Sequence, residues 1–319
     1  MNEEKIYTHN DISLSNLDAL AKREGKSLEM RVCELSFEAE KITECIRALF
    51  ENGMNVNEVL ALLSGDLCYQ GYTPDSNTVM EMRDFVVRYL DILSVLDKAI
   101  ISSLIVSKLG DFGIVIKEND ILDDNEPENS VSYVRSPLAD EAYEVFFEEL
   151  SDARVQYSDS FREACFAVAD GKVGYAILPF EEKGGVRIPG IMNLIVGLDL
   201  KITAITPVFG LAGDADMKYA LISKSFRIPG QDEATDRYLE INFSKNTEIS
   251  LGGLITAFEY LGASVFRVGM IGEDRSKEDS EGYYSLILKD GGKSFVEVLV
   301  FLSLFVSVYT PVGIYENIE

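Results

Sequence analysis

Apolar residues recur at three- and four-residue spacing over residues 11–109, the period of helices that bury one face. The stretch "SLSNLDALAKREGKSLEMRVCELSFEAEKITECIRALFENG" predicts a long helix stopped by Gly53. A short helix follows over "NVNEVLALLSG", capped by Asn55 or Asn57, and then turn chemistry at "GYTPDSN". The pattern next predicts one long apolar helix over "TVMEMRDFVVRYLDILSVLDKAIISSLIVSKLG", closed by Gly110. "FGIVIKE" (112–118) reads as a strand, and "NDILDDNEPENS" (119–130) as an acidic linker.

From residue 131 the period switches between two and 3.6. "SVSYVRS", "ARVQYS", "KVGYAIL", "LKITAITPV" and "MKYALISKSF" read as strands. Helices are expected over "PLADEAYEVFFEEL" and "SFREACFAVADG", the second opened by Ser160 with Glu163 three residues on; "IPGIMNLIVGLD" reads as a helix or turn. The strand "VGYAILPF" is expected to stop at Pro179, before a loop "EEKGG". Beyond the separator "RIPGQDEATD", residues 237–319 read strand, helix, strand, strand, helix, strand, the split βαββαβ order. The whole is an α+β chain in three parts: a helical domain (1–118), a small α/β lobe (131–228) and a ferredoxin-like domain (237–319).

Composition narrows the function classes. Apolar residues make up 47% of the 319, which suits folded domains, and the formal net charge of −25 repels phosphate backbones and anionic lipid at long range. The expectation is therefore no nucleic-acid and no membrane partner. "ITECIRALFENGMNVNEVLALLSG" (42–65) has the look of a helix-turn-helix, but no Lys or Arg occurs between Arg47 and Arg83, so an ordinary helical hairpin is the better reading. Cys33, Cys45, Cys68 and Cys165 have no paired spacing and the only histidine is His9, so no metal site and no cofactor is expected. "MNEEKIYTHN" lacks the features of a signal peptide, and "SFVEVLVFLSLFVSVYTPVGI" carries Glu297 and a proline and reads as a buried helix entering a strand. A cytoplasmic protein is expected.

"DSFREACFAVADGKVGYAILPFEEKGG" resembles the prephenate dehydratase family, whose pattern there is Ser-Phe, a helix, Val-x-x-Gly, a strand, then Pro-Ile-Glu-Asn-Ser and a glycine. In the same order, "VSYVRSPLADEAY" resembles the family's opening strand and turn without its glycines. "LKITAITPV" looks like the strand into its second lobe, "ADMKYALIS" falls on its Asn-x-Thr-Arg-Phe strand, and "TPVGIYEN" is similar to its ending. The resemblance covers about 131–319. It implies a periplasmic-binding-like α/β lobe, here reduced, followed by an ACT domain that pairs as a homodimer and takes L-phenylalanine as effector.

Departures from that pattern fall on the residues that carry the chemistry. The family's threonine, the proton donor to the departing hydroxyl, is Met217, and its arginine is Lys218. Glu181 keeps the family glutamate, while the asparagine and serine become Glu182 and Lys183. The interval between Lys183 and Lys218 is too short for an independent second lobe. In the tail, Gly252, Gly253 and Leu254 match the family's Gly-Ala-Leu effector loop, but its Glu-Ser-Arg-Pro stretch falls on Gly269, Met270, Ile271 and Gly272.

The resemblance thus implies a catalytically degenerate protein, a small-molecule-binding or regulatory pseudoenzyme near aromatic amino-acid metabolism. Its ligand would be an aromatic amino acid or a prephenate-like acid. A second reading is an active prephenate dehydratase or chorismate mutase that uses Glu181, Lys183 and Lys218 in a rebuilt site. Residues 90–110 faintly resemble the first helix of the mutases that precede the dehydratase in bifunctional proteins, with Arg88, Lys98 and Lys108 as nearest cations and Ser107 where an arginine belongs. A third reading is a protein-interaction module with no ligand.

Overall fold

The computed structural model describes residues 27–64, 86, 89–90, 92–148, 150–183, 185–209, 215–230, 236–244, 247–271, 283–291 and 294–317. The helix expected over 11–26, the turn at 71–77 and most of 78–91 lie outside them, as do His9, Cys68, Arg83 and Arg88. The described chain is a mixed α/β protein with a helical N-terminal part and one mixed ten-stranded sheet. It divides into two compact units, one of residues 1–121, 246–265 and 293–308, the other of 122–245, 266–292 and 309–319.

The first unit is helical. Helix α1 (Leu28–Glu51) is capped by Ser27 and α2 (Val56–Leu63) by Asn55, whose side chain forms a capping box with Glu58. The single helix expected over 78–110 is broken. Residues 92–93 are turn and bend, and α3 (Val95–Asp111) starts afresh because the Ser94 hydroxyl accepts the amide of Asp97. The strand expected over 112–118 is not formed: Gly113 turns the chain at φ +78°, residues 114–117 join no ladder, and a short helix α4 (Glu118–Ile121) follows. Helices α8 (Leu251–Tyr260) and α9 (Val296–Phe305) come from the C-terminal segment, and both pack on α3, as α1 does. Phe295, at the N-terminus of α9, has no cap of its own; the buried Glu118 carboxylate accepts its amide at 2.7 Å. The buried Asp97 binds Arg31 bidentately and ties α3 to α1.

The second unit holds the sheet. Its strands are β1 (Ser130–Tyr133), β2 (Arg154–Tyr157), β3 (Tyr175–Glu182), β4 (Val186–Arg187), β5 (Lys201–Phe209), β6 (Ala215–Ser223), β7 (Arg237–Ser244), β8 (Ser264–Ile271), β9 (Tyr283–Lys289) and β10 (Tyr309–Asn317). Their order is β2-β1-β3-β6-β5-β10-β7-β9-β8, with β4 beside β3. Strands β1, β2 and β3 are parallel, and so are β5 and β10. Pro179 does not end β3. The strand runs on to Glu182, because the missing amide falls at a register shift between Pro179 and Glu181.

Alternation along β3 separates two apolar layers. Ala176, Leu178 and Phe180 join the core under helices α6 (Phe161–Ala169) and α7 (Pro189–Gly197). Tyr175 and Ile177 join the core under α5 (Pro137–Val145). The interval between Lys183 and Lys218 is spent on β4, α7 and β5, and the described residues contain no second lobe.

Where β10 meets β5, Gly313 lies opposite Ile202, and a side chain there would meet the Ile202 carbonyl oxygen at 2.4 Å. Gly313→Ala is expected to cost about 1–3 kcal/mol by forcing that backbone apart. Gly110→Ala, in open space near the end of α3, should instead shift stability by less than ~1 kcal/mol, in the stabilising direction. Urea unfolding midpoints of the two variants check this contrast.

Candidate functional site

Strand β3 carries Glu181 past the bulge, and β6 sets Lys218 directly opposite it in the sheet register. Arg187, on the two-residue β4, is likewise paired with Glu181. From β8, Arg267 reaches back to the same carboxylate. Arg267 Nη1 lies 2.6 Å and Arg187 Nη1 3.3 Å from Glu181 Oε2. Arg267 also donates to the carbonyl of Gly185 at 3.1 Å, which closes the loop after β3.

A second carboxylate completes the cluster. Glu240 of β7, 1% exposed, receives Arg187 Nη2 at 3.0 Å and the Tyr315 hydroxyl at 2.9 Å on one oxygen, and the Ser285 hydroxyl at 3.2 Å on the other. The Arg187 guanidinium also lies over the Phe180 ring, 3.8 Å from its centroid. Glu181, Arg187, Lys218, Arg267 and Tyr315, among others, line a cavity of about 20 Å³. That is room for one water molecule.

The electrostatics fix the protonation states. Burial by itself would raise the Glu181 carboxyl, but the Arg267 hydrogen bond and the charges of Arg187, Arg267 and Lys218 outweigh it and hold the group below the ordinary carboxylate value. For Arg187, burial works against the charge, and the neighbouring Glu240, Tyr315 and Glu181 more than restore it. Burial and Glu240 push Tyr315 well above the usual phenol value. A general acid for expelling hydroxide has to release a proton near neutrality. Glu181 is already ionised there, and the Tyr315 proton is committed to Glu240. The arrangement neutralises charge and pins strands together.

The expected site residues are distributed unevenly. Glu181 and Lys218 come together in the cluster. Lys183 is an exposed turn residue and does not line the cavity, and Met217 sits opposite Glu182 and Val208 in the sheet. In the helical unit, the Gly253 amide donates to the cap Ser250, and a side chain on Gly253 would come within 3.5 Å of Val95 on α3. Leu254 is buried, and only Gly252 faces open space. Arg187, Arg267, Glu240 and Tyr315 escaped the reading of the sequence. The signal for two of them was a charge inside an apolar strand, Arg267 in "SVFRVGMI" and Glu240 in "RYLEINFS", which demands a buried partner. Among the described residues no cluster of metal-binding side chains occurs, and no helix is long and apolar enough to cross a membrane.

No family model matches the chain, and no curated protein does either. Solved structures do resemble it. A prephenate dehydratase from Streptococcus mutans is similar over 60% of this chain and 99% of its own, at 12% identity and a TM-score of 0.45. A protein described as GqqA, a novel type of quorum quenching acylase, is similar over 59% of this chain and 95% of its own, at 16% identity and a TM-score of 0.44. The prephenate dehydratase of Arthrobacter aurescens, solved in complex with L-Phe, is similar over 58% and 89%, at 11% identity and a TM-score of 0.41. The chain thus has a distant structural resemblance to prephenate dehydratases. At these scores it does not extend to side chains, and the chemistry is read from the cluster itself.

Glu181→Ala strands Arg267, while Arg187 keeps Glu240. It is expected to cost near the low end of the ~3–5 kcal/mol of a broken buried pair, because Arg267, 32% exposed, is partly screened. Glu181 binds its proton less readily folded than unfolded, so its contribution is complete above the ordinary value of 4.5 and is lost as pH falls through the lower folded value. Glu181→Gln should therefore flatten the fall in unfolding free energy below about pH 4.5. Asp97 supplies a remaining slope: burial raises it, but the hydrogen bond from Arg31 carries it below its ordinary value. Urea unfolding across pH 3–7 (roughly spanning both carboxylates) measures the difference.

Proposed function

We propose that this chain is a catalytically degenerate relative of prephenate dehydratase, a small-molecule-binding or regulatory protein associated with aromatic amino-acid metabolism. One observation carries the reading. The glutamate kept from the family pattern, Glu181, is buried against Arg187 and Arg267 beside a cavity of about 20 Å³. Ligand sites are typically ~300–1,000 Å³, so a dicarboxylic acid does not fit without dismantling the ion pairs. Met217 adds to this, since a thioether donates no proton. The exposed Lys183 leaves Lys218 as the only member of the expected lysine pair at the cavity.

The homodimer belongs to the same reading. Strand β8 is the last in the sheet order, and its alternate residues Phe266, Val268 and Met270 are 55%, 45% and 65% exposed. A long edge strand with an exposed apolar row is a surface that pairs with a second copy.

Purified protein incubated with prephenate should form phenylpyruvate no faster than a buffer control. Turnover abolished by Glu181→Gln would overturn the degenerate reading. For the dimer, light scattering on the eluting peak should give twice the chain mass, and Val268→Lys should return it to the monomer mass. A wild type that elutes as a monomer at high micromolar concentration would refute the edge pairing.

A further inference from the structure

A second cavity of about 200 Å³ lies in the sheet-bearing unit, on the opposite layer from the Glu181 cluster. Its floor is Tyr175, Ala204 and Leu221, which belong to the core under α5. Its rim is charged: Asp124 and Arg227 on one side, Glu316 of β10 on the other. The rim is held by backbone. Asp124 forms a parallel bridge with Phe226, and the Phe226 amide donates to the Asp123 carbonyl at 3.0 Å, which fixes Asp124 next to Arg227. Among the described residues Arg227, half-buried, and Asp124 have no ion-pair partner.

We propose that this cavity binds a free α-amino acid with an apolar side chain. The proposal rests on the small-molecule reading above and chooses between its ligand classes. An arginine fork matches a carboxylate, and the Asp124 carboxylate held beside it matches an ammonium group. The apolar floor takes the side chain. The volume, under the ~300–1,000 Å³ of drug-sized sites, suits a single amino acid. A dicarboxylate such as prephenate meets a single cation there, Arg227, and its second carboxylate is repelled by Asp124.

The test is calorimetric titration of the full chain with L-phenylalanine, L-leucine, 3-phenylpropionate, phenethylamine and prephenate. Arg227→Met and Asp124→Asn are titrated alongside, with circular dichroism to check that both variants fold. At least one amino acid should bind, both variants should weaken it at least tenfold, and 3-phenylpropionate and phenethylamine, each lacking one charge, should bind at least tenfold more weakly than L-phenylalanine. Phenethylamine binding as tightly as L-phenylalanine would make this a cation site and overturn the proposal. Amino-acid binding untouched by either variant would overturn the site and leave the small-molecule reading intact. So would binding of prephenate alone. Silence from all five compounds would remove the proposal together with that reading.

Discussion

One parallel pairing holds the sheet together. Strands β1 to β6 form one half, β7 to β10 the other, and among the described residues β5 against β10 is the only ladder between them. The pairing needs a residue without a side chain where β10 crosses Ile202, and Gly313 provides it. Around this seam the apolar layer is continuous, since Ile202 and Ile205 from one half pack in the same core as Val312 and Tyr315 from the other. A sheet that joins here cannot open into two halves around a ligand without losing that core.

The charge cluster sits on the same constraint. Arg187 belongs to the first half and Glu240, Arg267 and Tyr315 to the second, so the ion pairs span the seam. Glu181 and Glu240 are each already paired with arginines inside the cluster. Buried ion pairs contribute little net stability compared with apolar packing, but they penalise every arrangement in which one member is stranded.

Most strands were legible in the sequence because each has a clean change of period, as in "LKITAITPV" and "RYLEINFS". The mistakes came where local pattern and long-range partners disagree. Residues 112–118 have strand-like composition but find no ladder partner. Ser94 interrupts an apolar helical run because a cap outweighs the continuing hydrophobic period. Pro179 predicts a stop, whereas a bulge absorbs its missing donor. Of the site, Glu181 and Lys218 were accessible through their position in a motif. Arg187 and Arg267 were not, because what makes them members is contact across more than 50 residues of chain with Glu240 and across more than 80 with Glu181.

The division of the C-terminal segment between the units has a consequence for how the molecule is made. Its strands complete the sheet-bearing unit, while α8 and α9 complete the helical one, so neither unit is encoded by a continuous stretch of chain. As the polypeptide leaves the ribosome, α1 and α3 emerge without the two helices that cover α3, and β5 emerges without the strand that borders it. The helical core stays open until α9 is made, and the sheet-bearing core until β10 follows it. Contacts of such long sequence separation form slowly, and the apolar faces left waiting are those that chaperones recognise and that aggregate when unattended.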